Sequence, residues 1–299
     1  MLGKIHFRAS RFAAKIRDPY TLWGRSERLK TGGTPRLKIL VSNQKGGVGK
    51  SSLSANLAAY FAIERQMNTL LIDLDRQGTS SLWIRNAAPY ERLKFDHASH
   101  LIQGANRLGI FNARCHIRDA ANLHEVVITD VTWSPAVGYE LLEIFDLWII
   151  PTSLSELELL STIALLGDLK PALERPRSPR LLITPNKIHP FQRKFDSMAA
   201  QRFPVPFLLT PPVLASKDFE SLYQRDYIVS AGKDDVKQRF LTFCEAVWKA
   251  SQISVFEAHT MRARSDWNAG AASAPPSALP EISRVPEMIK AGTPDETPL

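Results

Sequence analysis

The chain is poor in residues that staple, ligate or span. Only two of its 299 residues are cysteine, Cys115 and Cys244, far apart and without a C-x-x-C pair. A disulfide framework, a thiolate metal site and a cysteine-held metal cluster are therefore not expected, and both cysteines read as core residues of a reducing compartment. No run approaches the roughly 18 consecutive apolar residues of a membrane span, and no apolar segment near the start precedes a small-residue cleavage site. The expectation is an unsecreted, cytoplasmic protein. Acidic residues are scarce in one place: residues 1 to 38 hold ten Lys or Arg against Asp18 and Glu27. The rest of the chain carries 28 charges of each sign, so the formal +8 lies wholly in an N-terminal arm. Attraction to nucleic acid or to an acidic membrane would concentrate there.

What is present divides the chain into segments. Within residues 1–36, Ile5, Ala9, Phe12 and Ile16 recur at helical spacing beside Lys4, Arg8, Arg11 and Lys15, a pattern that fits either a cationic amphipathic helix or a solvated, disordered tail. Gly32, Gly33 and Pro35 then read as a hinge. Over residues 37–250 short apolar runs alternate with amphipathic stretches, which predicts an α/β fold: a doubly wound, mostly parallel sheet with helices on both faces. The predicted strands are 37–42, 69–74, 126–129, 147–150, 180–184 and a short one near 206–209. A helix over 51–64 places Leu53, Leu57, Tyr60 and Phe61 on one side, and another carries Val236, Phe240, Phe243 and Val247 similarly. Residues 251–268 read as a helical extension. The last 25 residues hold six of the 20 prolines and no aromatic residue, so residues 269–299 are expected to be a disordered tail.

The sequence K-G-G-V-G-K-S-S at residues 45 to 52 follows a predicted strand and opens a predicted helix, the context a phosphate-binding loop needs. Gly46, Gly47 and Gly49 permit a tight wrap in which backbone N–H groups, that of Val48 included, point inward, and the helix N-terminus adds partial positive charge. Lys50 is expected to reach the β and γ phosphates, Ser51 to join a Mg²⁺ shell and Ser52 to reach an α-phosphate oxygen. The usual loop of this kind begins with glycine six residues before its lysine. Here that position is Gln44, and a second lysine, Lys45, lies inside the loop.

N-Q-K-G-G-V-G-K-S resembles the deviant Walker loop of the ParA/MinD family of P-loop ATPases. The resemblance covers residues 37 to about 250 and implies ATP and Mg²⁺ as ligands, slow hydrolysis to ADP and phosphate, and a homodimer closed by ATP. It also implies that Lys45 acts in trans, on nucleotide bound by the second subunit, where it would do the work of an arginine finger. D-L-D-R-Q-G-T-S-S-L-W, residues 73 to 83, is similar to the family's D-x-D-P-Q switch. By that likeness Asp75 positions the attacking water and Asp73 lies near the metal's solvent shell; Arg76 stands where proline is customary. Asp130, at the end of the third apolar run, fits the Walker B carboxylate that holds Mg²⁺ through water, although Val131, Thr132 and Trp133 replace the proline or glycine expected next. Asn186, in I-T-P-N-K, resembles an adenine-contacting position, with Pro211 or Pro212 as further lining.

The short interval from Asp75 to Asp130, and Trp83, look like compact members of the family: ParF-type plasmid partition ATPases and VirC-type accessories of T-DNA transfer. The expected function is therefore ATP-gated positioning or segregation of DNA. The dimer would bind DNA nonspecifically, stay on the nucleoid, and be released by a centromere-binding or relaxase-type partner. Arg193, Lys194, Lys217 and Arg225 are candidate DNA contacts outside the arm. A conjugation accessory role, and a MinD-like role in which the arm enters an acidic membrane surface, are the alternatives.

Overall fold

Strands buried on both faces need no polar alternation, and the apolar runs of this chain form such strands. The computed structural model describes residues 36–102, 107–189 and 201–271. Its strands are β1 (Leu37–Asn43), β2 (Thr69–Asp73), β3 (Leu93–His97), β4 (Val126–Thr132), β5 (Leu147–Thr152), β6 (Arg180–Pro185) and β7 (Leu208–Leu209). They pair in parallel as one seven-stranded sheet in the order β3-β2-β4-β1-β5-β6-β7. From β1 the chain moves outward to β2 and β3, returns to β4 beside β1, and crosses to β5 on the other side. The winding thus reverses around β1, and an open sheet of this type has its ligand crevice at the carboxyl ends of the strands there.

The helices are α1 (Lys50–Ile63), α2 (Thr79–Asn86), α3 (Arg107–Leu123), α4 (Glu156–Leu173), α5 (Lys217–Ser221), α6 (Ile228–Ala231) and α7 (Asp234–Ala271). Successive residues of a strand point to opposite faces, and both faces are covered. Ile39, Val41, Leu71, Ile128 and Ile149 join Leu53, Leu57 and Phe61 of α1 and Phe240, Phe243 and Val247 of α7 in one core cluster. Leu40, Ile72, Val127, Trp148 and Ile150 join Ile117 of α3 and Leu165 and Leu166 of α4 in the other. Each such side chain contributes roughly 1.5–3 kcal/mol of transfer free energy. Trp148 lies fully buried and also donates its indole N–H to the Ser42 carbonyl at 3.2 Å, which satisfies its one polar atom inside the core.

Two features depart from the sequence reading. β4 continues past residue 129 to Thr132, because the parallel ladder with β1 holds in register through Val41↔Asp130 and Asn43↔Thr132. β3 was not foreseen: L-K-F-D-H is an edge strand in which only Leu93 is buried, so it leaves no apolar run to detect. The chain divides into two units after Glu257; of the second, residues 258 to 271 are described, and they are helical. The amphipathic reading of residues 1–35, Arg193 and Lys194, and the tail from residue 272 onward lie outside the described residues. Among the described residues no helix is long and apolar enough to cross a membrane.

Candidate functional site

The carboxyl end of β1 runs into residues 44 to 49 and then into α1. Gly47 and Gly49 take the left-handed conformation, at φ 78° and 86°, which a residue with a Cβ rarely adopts. Gly49 also serves as N-cap of α1 with no side-chain cap, so the helix's leading N–H groups remain open toward the loop. Lys50 is buried, and its ammonium folds back to donate to the Lys45 carbonyl at 3.1 Å. Burial pushes the Lys50 pKa down, while the Asp130 and Asp75 carboxylates oppose that shift. Lys45 itself is exposed, its N–H bonded to Asn43 Oδ1 at 3.1 Å; Asn43 is pinned in turn by donating to the Pro151 carbonyl at 2.9 Å. Gln44 donates to the Ser161 carbonyl and hydroxyl at 3.0 and 2.9 Å, which ties the loop to α4. Ser51 and Ser52 are half-buried at the start of α1.

The three acidic residues fall together at the carboxyl ends of β2 and β4, where Asp73 and Asp130 are register partners. Their environments differ. Asp130 is completely buried, and neither of its oxygens has a hydrogen-bond partner among the described residues. Burial, then the Asp73 carboxylate, push its pKa up to about 7, against the opposing influence of the Ser80 and Ser51 hydroxyls and Lys50. Asp73 is held by its own segment: its Oδ1 accepts the Asp75 N–H at 3.0 Å and its Oδ2 accepts the Ser80 hydroxyl and the Ser81 N–H at 2.8 and 2.9 Å. The carboxylate is thus engaged in anchoring the first turn of α2. Asp75 is half-buried and accepts the Thr132 hydroxyl at 2.6 Å.

A third strand end closes the site. After β6, Asn186 donates to the Val48 carbonyl and Lys187 to the Gly47 carbonyl, both at 2.7 Å. Lys187 does so from a left-handed backbone conformation, φ 56°. The segment carrying Pro211 and Pro212 lies alongside, bonded from the Val213 N–H to the Pro185 carbonyl at 2.8 Å. Sequence reasoning singled out Asn186 but missed Lys187, although the N-K pair stood in the motif; it also missed Ser80 and Thr132 as side-chain partners of Asp73 and Asp75, and His97, whose Nε2 lies 3.0 Å from the Asp75 carbonyl. Lys217 and Arg225 are exposed on the segment from α5 onward, and nothing in the geometry brings them to this crevice.

The family described as the CobQ/CobB/MinD/ParA nucleotide binding domain matches residues 39–250, from inside β1 to the middle of α7. The chain belongs to this family. Every site residue from Asn43 to Lys187 lies within the matched nucleotide binding domain. The chromosome-partitioning ATPase Soj of Thermus thermophilus is 52% identical over 50 residues, which are 16% of this chain and 20% of Soj. Protein IncC of Escherichia coli is 43% identical over 65 residues, 22% of this chain and 17% of IncC. The matched stretches therefore span about a fifth of these relatives' lengths. The septum site-determining protein MinD of Pyrococcus horikoshii, solved in complex with Mg-ADP, shares the fold. It aligns with a TM-score of 0.56 over 73% of this chain and 98% of MinD, at 17% identity.

Proposed function

We propose that this chain is an ATPase whose ATP-bound homodimer holds DNA nonspecifically and is released by partner-stimulated hydrolysis, as a plasmid or chromosome partition protein would be. The observation that carries the reading is the loop itself. A buried lysine and an exposed one share a glycine-shaped turn at the end of β1, beside the β4 end that carries Asp130, whose two buried oxygens have no hydrogen-bond partner among the described residues.

The residues fit Mg²⁺ bound with the nucleotide. Asp130 offers unpaired oxygens and Ser51 a hydroxyl, the few protein ligands that a magnesium ion with phosphates and waters requires. Magnesium held there would supply positive charge against the phosphates. Lys50, released from the Lys45 carbonyl, places its ammonium on those phosphates, and Ser52 reaches the α-phosphate. Asp75 orients the attacking water, and Asp73 keeps the Asp75 turn and α2 in place. Lys45, free to extend, meets the phosphates held by a second copy of the chain. Asn186 contacts adenine from a side chain already fixed on the Val48 carbonyl. Residues 37–250 form the ATPase domain, the basic arm of residues 1–36 supplies most of the attraction to DNA, and a centromere-binding or relaxase-type protein triggers release.

Molecular mass and DNA co-sedimentation test this with no nucleotide, ADP, ATP and a non-hydrolysable ATP analogue. Dimers and DNA binding are expected with ATP and the analogue alone. Equal behaviour in ADP and ATP would overturn the reading.

A further inference from the structure

The segment after β2 turns sharply. Residues 75 to 78 close a β-turn through the Gly78 N–H and the Asp75 carbonyl at 3.1 Å, with Arg76 at its second position. The Arg76 N–H donates to no protein group among the described residues, and the second position of such a turn is the one where proline, with φ near −65°, is favoured. Arg76 leaves that φ unlocked. Gly78 ends the turn at φ 64°, where an added Cβ would come within 2.9 Å of His97 Cε1, and His97 Nε2 lies 3.0 Å from the Asp75 carbonyl.

The Asp75 side chain is held from another direction. Its Oδ2 accepts the Thr132 hydroxyl at 2.6 Å, and its Oδ1 meets the Gln77 N–H at 3.4 Å, a weaker contact. Thr132 is in reach because β4 stays paired with β1 two residues beyond Asp130. A cleft of about 160 Å³, lined by Leu74, Asp75, Arg76, Ser99, Ile102 and Thr132 among others, opens beside this bond. A carboxylate freed from Thr132 therefore has room to turn away.

We propose that Thr132 is a positioning residue that fixes the Asp75 carboxylate, supplying by a side-chain hydrogen bond the restraint that proline at position 76 would give. The proposal rests on the reading of Asp75 as the residue that orients water. It places the restraint on the strand that carries Asp130, so the metal-side carboxylate and the water-side carboxylate share one rigid support.

The variants are Thr132→Val, which keeps shape and strand preference but loses the donor, Thr132→Ser, which restores a hydroxyl, and Thr132→Val combined with Arg76→Pro. Two measurements are made: steady-state ATP hydrolysis, and hydrogen exchange of the Gln77 and Gly78 amides in nucleotide-free protein. Thr132→Val should lower kcat roughly tenfold, the size of one lost hydrogen bond to a charged group, with KM changed less than about twofold. The two amides should exchange roughly five- to tenfold faster. Thr132→Ser should return both values toward wild type, and Arg76→Pro should do so in the Thr132→Val background. Wild-type kcat in Thr132→Val, or exchange unchanged by it, overturns the proposal. So does failure of Arg76→Pro to recover either value. If the wild-type chain hydrolyses no ATP, the functional reading fails, and the exchange measurement still decides whether Thr132 holds the turn.

Discussion

Asn186 occupies the space that a Cβ on residue 49 would need: the added atom would overlap its amide nitrogen, which already donates to the Val48 carbonyl at 2.7 Å. The turn after β6 and the loop after β1 are thereby shaped to one another, and Gly49 is strained for any other residue by its φ of 86° as well. Gly49→Ala should therefore weaken binding of a fluorescent ATP analogue by tenfold or more, and Asn186→Ala should weaken it less, since it removes one hydrogen bond without forcing the backbone. Wild-type affinity in Gly49→Ala would show that the loop does not hold the phosphates.

Lys50 offers a test that separates binding from folding. Among the described residues its buried ammonium donates to the Lys45 carbonyl alone, and burial already depresses its pKa. Lys50→Ala is expected to lower ATP affinity by about ten- to a hundredfold, the loss of charged hydrogen bonds to phosphate, while the nucleotide-free protein keeps its Tm within about 2 °C. Calorimetric titration and a thermal melt on the same sample measure both. A large fall in Tm would instead make Lys50 a structural residue.

Asp130 makes stability depend on pH in a defined direction. Its carboxyl titrates at about 7 in the folded chain and at about 4 when unfolded, so the folded state holds the extra proton between those values. The stability conferred by that proton is full below about pH 4 and is lost as pH rises through 7. Asp130→Asn removes this loss, and it should raise the Tm of nucleotide-free protein at pH 8 by roughly 2–8 °C, equivalent to 1–2 kcal/mol in a domain of this size. The same variant should weaken Mg²⁺-dependent ATP binding. In wild type, that binding should weaken as pH falls below 7, because the ion must displace the proton. A lower Tm for Asp130→Asn at pH 8 would contradict the burial of an unpaired carboxylate.

Lys45 and Asp75 can be separated by mixing. Asp75→Ala should retain ATP and accumulate dimers, since it removes the water's partner and no phosphate contact. Lys45→Ala should bind ATP as a monomer but dimerise and hydrolyse poorly. A heterodimer of the two holds one site with intact Asp75 facing an intact Lys45, so mixing should recover up to about half of wild-type activity if the sites act independently. No recovery despite heterodimer formation, shown by differential tags, would count against action in trans.

The sequence alone was enough for the sheet's middle and the loop. Apolar runs such as L-K-I-L-V and V-V-I-T specify buried strands locally, and K-G-G-V-G-K-S-S between a strand and a helix needs no distant partner to be read. Composition likewise placed the excess charge in the first 38 residues. The edge strand β3 escaped because Lys94, Asp96 and His97 interrupt its apolar pattern, and its pairing with β2 supplies what its own residues do not. Only tertiary structure decided which partners the site residues take. Asp73 turned out to anchor Ser80 and Ser81, Asp75 to accept from Thr132 57 positions away, and Asn186 to hold Val48 138 positions away. Strand formation follows from the pattern of neighbours along the chain, whereas a side-chain hydrogen bond a few ångströms long depends on which strand ends the folded sheet brings side by side.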